Sequence, residues 1–127
     1  MERTVALMAH GQSCWMDDLT RQMLTGGELS QRVAEQGLRG ITSNPSIFEK
    51  ALRRGADYDA DIARGALAGL SAEEIYEELV TTDVRNACDV LREVYDKTRG
   101  DDGFVSLEVS PHLAHDTLAS VEEARRL

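Results

Sequence analysis

The chain is predicted to be an α/β protein built on parallel strands, and three observations carry that prediction. Gly40-Ile41 ends in the polar run Thr42-Ser43-Asn44 and feeds straight into a helix that Pro45 can open. Short apolar segments around Cys14, Ile41 and Val105 are separated by longer stretches of helical period, in the order β, α, β, α, α, α, β, α. Between the second and third of these strands runs one long amphipathic helix, the kind of cover that a crossover between parallel strands requires.

Taken in order, Ser13-Cys14-Trp15-Met16 reads as the first strand, with Asp17-Asp18-Leu19 at its end. A helical region follows from roughly Asp17 to Gln36, broken at Gly26-Gly27 and ended by Gly37 as a C′ residue. Gly37 to Thr42 is the second strand. Asn44 to about Leu52 is a short helix and Asp57 to Leu67 another, with Gly55 and Gly69 as punctuation. Ser71-Ala72-Glu73-Glu74 is a capping-box pattern that starts the longest helix. Along that helix Tyr76, Val80, Val84, Ala87, Leu91 and Val94 recur at steps of three and four, an apolar stripe expected to pack across the second and third strands. From Phe104 to Val109 the pattern alternates, Val105, Leu107 and Val109 on one face and Ser106, Glu108 and Ser110 on the other. After Pro111 the chain reads as a loop entering a final helix.

The polar groups at the strand ends are the candidate chemistry. In parallel α/β folds ligands sit at the carboxyl ends of the strands, beside the free N–H groups of the next helix. Asn44 and Pro45 also fit an ordinary junction, the one as N-cap and the other as first helical residue. Glu108 fits a half-exposed strand with its carboxylate in water equally well, or a strand whose polar face lines a pocket, where it would be partly desolvated and usable as an acid–base group. Asp17 carries the same two readings; Asp18 is read as an acidic first-turn residue favoured by the helix dipole.

Trp15-Met16-Asp17-Asp18-Leu19, then Gly37 to Lys50 with Thr42-Ser43-Asn44-Pro45 at its centre, then Gly103 to Pro111, stand in an order and at separations that resemble the amino-terminal part of transaldolases, the longer-chain form in particular. The resemblance covers nearly all of the chain. It implies a partial (β/α)8 TIM barrel of about the first three β/α units, residues 1–127 forming a single incomplete barrel domain. It further implies transfer of a dihydroxyacetone unit between sugar phosphates in the pentose phosphate pathway, through a lysine Schiff base and with no metal or organic cofactor. By position, Asp17 matches the aspartate that handles a substrate hydroxyl proton. Thr42 and Asn44 match the pair that holds the substrate, and Glu108 matches the glutamate that works with a water as acid and base.

The family's Schiff-base lysine lies on the strand after the glutamate strand, and the chain stops at Leu127 before such a strand, so a truncated, inactive chain is expected. The two lysines present, Lys50 and Lys97, both read as solvated helix residues. An imine-forming lysine needs a dry or cationic setting that neither has in sequence. The phosphate-binding arginines of the family also come from later strands.

Composition limits the partners. With 127 residues, 42% hydrophobic and 29% charged, the chain has the makings of one soluble domain. A net charge of −9, from 14 basic and 23 acidic residues, argues against nucleic acid and anionic membranes as partners. Cys14 and Cys88 read as small buried apolar residues rather than a disulfide framework. His112, His115 and Asp116 are too few for a metal site, and His10 reads as isolated and exposed or disordered. The start, Met1 to Val5, lacks a signal-peptide pattern, and no apolar run approaches the ~20 residues of a membrane span, so a cytoplasmic location is expected.

Three strands with their helices cannot close an eight-stranded barrel, so an open edge and an apolar sheet face are expected to be covered by a homo-oligomer or a complementing chain. Three functional readings follow: the amino-terminal portion of a transaldolase, a catalytically silent binding or regulatory subunit of that type, and an acid–base enzyme acting on a sugar phosphate through Asp17 and Glu108.

Overall fold

A computed structural model describes residues 3–54 and 56–127. Three parallel strands form one sheet in the order β1 (Cys14–Met16), β2 (Leu38–Ile41), β3 (Phe104–Val105). Matched positions along the ladders explain how the sheet is buried. Met16 lies opposite Ile41 and Ile41 opposite Val105, and all three face the helices, Ile41 with no exposure at all. Trp15, Gly40 and Phe104 are the neighbouring matched set, and successive side chains alternate between faces. Trp15 is 41% and Phe104 44% exposed, so this face is open among the described residues.

Gly40 is required by that arrangement. A Cβ there would stand 2.3 Å from the Trp15 indole, which therefore lies flat across the backbone of β2. Gly103, just before β3, holds a left-handed φ of 90° and leaves no room for a side chain, since a Cβ would meet the Tyr95 backbone nitrogen at 2.5 Å.

The helices cover the other face. α1 (Arg3–Met8), which the sequence reading did not anticipate, packs at the amino end of β2, where the Thr4 hydroxyl donates to the Gln36 carbonyl at 2.6 Å. α2 (Arg21–Thr25) and α3 (Glu28–Gln36) are separated by Gly26-Gly27 as expected, and Gly37 ends α3 in the left-handed conformation. The expected start at Asp17 is corrected. Leu19 is drawn fully into the core and Thr20 supplies the N-cap by accepting from the Met23 amide, so residues 17–20 form a connector outside any helix. Asp18 is thus an exposed loop residue and not part of a first helical turn.

α4 (Pro45–Arg53) begins as predicted, with Asn44 as N-cap and Pro45 at the first helical position. Gly55 lies outside the described residues. α5 (Asp59–Leu67) follows, then α6 (Ala72–Thr98), whose capping box is complete: Glu74 N–H donates to Ser71 Oγ at 3.2 Å and Ser71 N–H to Glu74 Oε2 at 2.8 Å. The α6 stripe is buried as its spacing requires, with Val80, Ala87, Leu91 and Val94 in the core and Tyr76 and Val84 packed against it. Each fully buried side chain of this kind contributes about 1.5–3 kcal/mol. α6 packs on both β2 and β3.

β3 is shorter than the sequence pattern predicts. Its ladder continues for one more bond, Ser106 N–H to the Ile41 carbonyl at 2.9 Å, and then the Ser43 hydroxyl donates to the Ser106 carbonyl at 2.6 Å. The alternation nevertheless survives as burial, with Val105, Leu107 and Val109 half-buried and Ser106 and Glu108 exposed. A 3₁₀ turn (Pro111–Leu113) leads to α7 (Thr117–Arg126), capped by Asp116, which accepts from the Ala119 amide at 3.0 Å.

Candidate functional site

The carboxyl ends of the three strands bring Asp17 and Thr42 together. The last bond of the β1–β2 ladder runs from Thr42 N–H to the Met16 carbonyl at 2.8 Å, which sets Thr42 beside the residue that follows Met16. The Thr42 hydroxyl then donates to Asp17 Oδ1 at 2.6 Å, a short charge-assisted bond between side chains 25 residues apart. Asp17 is exposed and Thr42 half-buried. One Asp17 oxygen is thus held while the group remains open to a ligand.

Asn44 stands two residues on, at the head of α4. Its Oδ1 accepts from the Ile47 amide at 3.0 Å, so the cap role is real, and the side-chain NH2 is the end left to donate to a ligand. Ser43, between them, points the other way: it is buried and ties the end of β2 to the end of β3.

Glu108 is not brought into this group. It is exposed, as in the reading that leaves its carboxylate in water rather than the one that partly desolvates it. It lines a separate open cavity of about 520 Å³ between α6, α7 and the segment after β3, shared with Pro45, Tyr76, Val80, His112 and Arg126. Asp17, Thr42 and Asn44 do not line that cavity. At its rim Arg126 pairs with Glu77 and holds that carboxylate below the ordinary range.

Neither lysine is at a strand end. Lys50 is exposed on α4, and Lys97 is exposed near the end of α6, 2.5 Å from Glu93. Both cysteines are half-buried rather than fully buried, and burial, with Asp89 adding to it, pushes the Cys88 thiol up and away from reactivity.

A polar cluster that the sequence reading missed lies inside the helical layer. Asp83, with no exposure, accepts from the Tyr58 hydroxyl at 2.7 Å and from Arg21 Nε at 3.0 Å. Arg21 also bonds the Asp57 carbonyl and Asp61, and its guanidinium lies 4.2 Å from the centre of the Tyr58 ring. Burial opposes the Arg21 charge, but the hydrogen bonds to Asp83 and Asp61 outweigh it and raise its basicity further. Burial first and the Asp83 bond second push the Tyr58 phenol far above its usual range. One signal was available: Asp83 stands three residues after Val80 and four before Ala87, on the buried stripe of α6.

Residues 14–127 match the family model described as Transaldolase/Fructose-6-phosphate aldolase. Among curated relatives, Transaldolase 2 of Nostoc punctiforme is 57% identical over 117 residues, which cover 92% of this chain and 31% of that protein. The Transaldolase of Trichodesmium erythraeum is 52% identical over 116 residues, covering 91% of this chain and 30% of that protein. Transaldolase 1 of Streptomyces avermitilis is 44% identical over all 127 residues, 34% of its own length. The chain spans about a third of the length of these relatives. With parallel strands, helices on one face and polar residues at the strand ends in the expected order, the fold is a partial β/α barrel, and the chain belongs to the transaldolase/fructose-6-phosphate aldolase family.

Proposed function

We propose that this chain carries the substrate-holding and proton-handling part of a transaldolase site, one that moves a dihydroxyacetone unit between sugar phosphates of the pentose phosphate pathway. Asp17 takes and returns a substrate hydroxyl proton as the carbon–carbon bond breaks and forms. Thr42 and Asn44 hold the substrate; by the family likeness Glu108 works with a water as acid and base, a role that requires its carboxylate to be brought over from the separate cavity it lines in this chain. The observation that carries the reading is the 2.6 Å bond from Thr42 to Asp17, with the Asn44 amide two residues away. It fixes one oxygen of an exposed carboxylate at the strand ends.

The nucleophile is proposed to come from outside these 127 residues, and this chain to be inactive by itself. Lys50 and Lys97 are exposed helix residues, without the dry or cationic setting that an imine-forming lysine needs. A second reading, a binding subunit without turnover, is favoured by the open sheet face at Trp15 and Phe104, where a second copy or a complementing chain would sit. No helix among the described residues is long and apolar enough to cross a membrane.

The test is incubation of the chain with fructose 6-phosphate and borohydride, followed by intact-mass analysis. No adduct is expected, while backbone amide shifts induced by millimolar fructose 6-phosphate are expected at Asp17, Thr42 and Asn44. An adduct on Lys50 or Lys97 would overturn the claim of inactivity. Amide shifts confined to other residues would overturn the site.

A further inference from the structure

Residues 17–20 join β1 to α2, and Asp17 and Asp18 are exposed, so few side-chain contacts hold this connector. Its near end is fixed by the β-ladder bond from Thr42 N–H to the Met16 carbonyl. Leu19 anchors its middle in the core. The far end is Arg21, the first residue of α2, whose amide has no partner within the helix. That amide donates to the Tyr58 hydroxyl oxygen at 3.2 Å.

We propose that Tyr58 is a positioning residue for Asp17: held by Asp83, its hydroxyl pins the Arg21 amide and so fixes the connector that carries the Asp17 carboxylate. This rests on the reading of Asp17 as the proton-handling group. The direction of each bond is determined. The Tyr58 hydroxyl has one proton, given to Asp83 Oδ2 at 2.7 Å, so its oxygen is free to accept from the backbone. Asp83 Oδ1 meanwhile takes Arg21 Nε at 3.0 Å, and Arg21 reaches on to the Asp57 carbonyl at 3.2 Å. Arg21 is therefore gripped at backbone and side chain by residues of α5, of α6 and of the segment before α5. A catalytic carboxylate must be held within about 0.5 Å of its working position. The bond from Thr42 holds one oxygen of Asp17, and the pinned connector holds its backbone.

The experiment is backbone ¹⁵N relaxation on the chain without ligand, comparing wild type, Tyr58→Phe and Leu91→Ala. Leu91→Ala is a core control that destabilises the fold without removing any hydrogen bond of the Arg21–Tyr58–Asp83 network. Wild type is expected to show order parameters near 0.85 at residues 17–20, falling below about 0.6 in Tyr58→Phe and unchanged in Leu91→Ala. Amide exchange at Arg21 is expected to quicken roughly tenfold in Tyr58→Phe alone. Equal order parameters in wild type and Tyr58→Phe would overturn the proposal, as would an equal fall in Leu91→Ala. Should Tyr58→Phe fail to fold, amide exchange at Arg21 in the wild type decides: slowed exchange of this first-turn amide supports the pin, and exchange at the rate of a free amide overturns it. The relaxation is read without sugar phosphate, so it stands or falls separately from the fructose 6-phosphate shifts that test the role of Asp17.

Discussion

The two faces of the sheet share one backbone and differ in everything else. On the helix-covered face Met16, Ile41 and Val105 meet α6 and the rest of the core. On the other, Trp15 and Phe104 flank Gly40 with roughly two-fifths of each surface in solvent, and two residues further along the strands come Asp17 and Thr42. The covered face holds the strands parallel and in register. The open face carries the candidate chemistry but little of the packing. A substitution on the first should therefore register as lost stability, and one on the second as altered environment, binding or association.

Ile41 and Gly40 are adjacent in β2 and separate the two faces most sharply. Ile41→Ala is expected to lose about 2–5 kcal/mol in urea unfolding, the usual loss when a buried branched side chain is cut to a methyl. A loss under about 1 kcal/mol would mean that the helical layer is not tightly packed on the strands. Within the same covered layer Tyr58→Phe is expected to lose about 1–3 kcal/mol, because it leaves Asp83 and the Arg21 amide each short of a partner. Its pH dependence gives a second check. The folded-state phenol of Tyr58 is raised by burial and by Asp83, so its contribution is fully present below the unfolded value of about 10 and is lost as pH rises beyond it. Stability of the wild type should fall above about pH 9–10, and Tyr58→Phe should flatten the fall to the smaller part due to half-buried Tyr76 and Cys88, both raised chiefly by burial.

Gly40→Ala is a test from the open side. The added methyl would enter the indole ring of Trp15, but that ring is partly in solvent and can swing away, so the loss is expected near the low end of overpacking, about 1 kcal/mol. Trp15 is the only tryptophan, and its emission should move to longer wavelength as the ring leaves the sheet. Unchanged emission with a stability loss above about 3 kcal/mol would show that the ring is fixed and the face is not open.

Legibility in the sequence tracks the range of the interaction. The caps at Asn44 and Ser71, the left-handed Gly37 and the stripe on α6 are settled by residues within one or two turns of each other, and each is where its pattern puts it. Asp17 and Thr42 were named from strand ends and the family likeness. Their bond depends on the β1–β2 register, which no local pattern fixes. Asp17-Asp18 looked like a first helical turn because acidic residues favour that place, yet burial of Leu19 moved the start to Arg21. The Arg21–Tyr58–Asp83 cluster was missed because its members are 25 to 62 residues apart and meet only when α5 and α6 pack. Alternation leaves Glu108 equally at home in water or on a pocket-lining face, and only the family likeness favours the pocket; with the β3 ladder ending at Ser106, its carboxylate stands in solvent beside another cavity.

The smallest expected effect belongs to a group on neither face. Lys97 lies on the solvent side of α6, paired with Glu93 one turn back, and Glu93 is held below the ordinary carboxylate range by that contact. Both side chains are largely exposed, so solvent and salt screen the pair and Lys97→Ala should leave the urea-unfolding midpoint unchanged within error. The same substitution should leave the fructose 6-phosphate shifts at Asp17 and Asn44 unaltered, since an ammonium near the far end of a helix that packs on the other face of the sheet has no route to them. Loss of those shifts in Lys97→Ala, measured against Asp17→Asn as the positive control, would move the lysine into the site and erase the separation between the two faces.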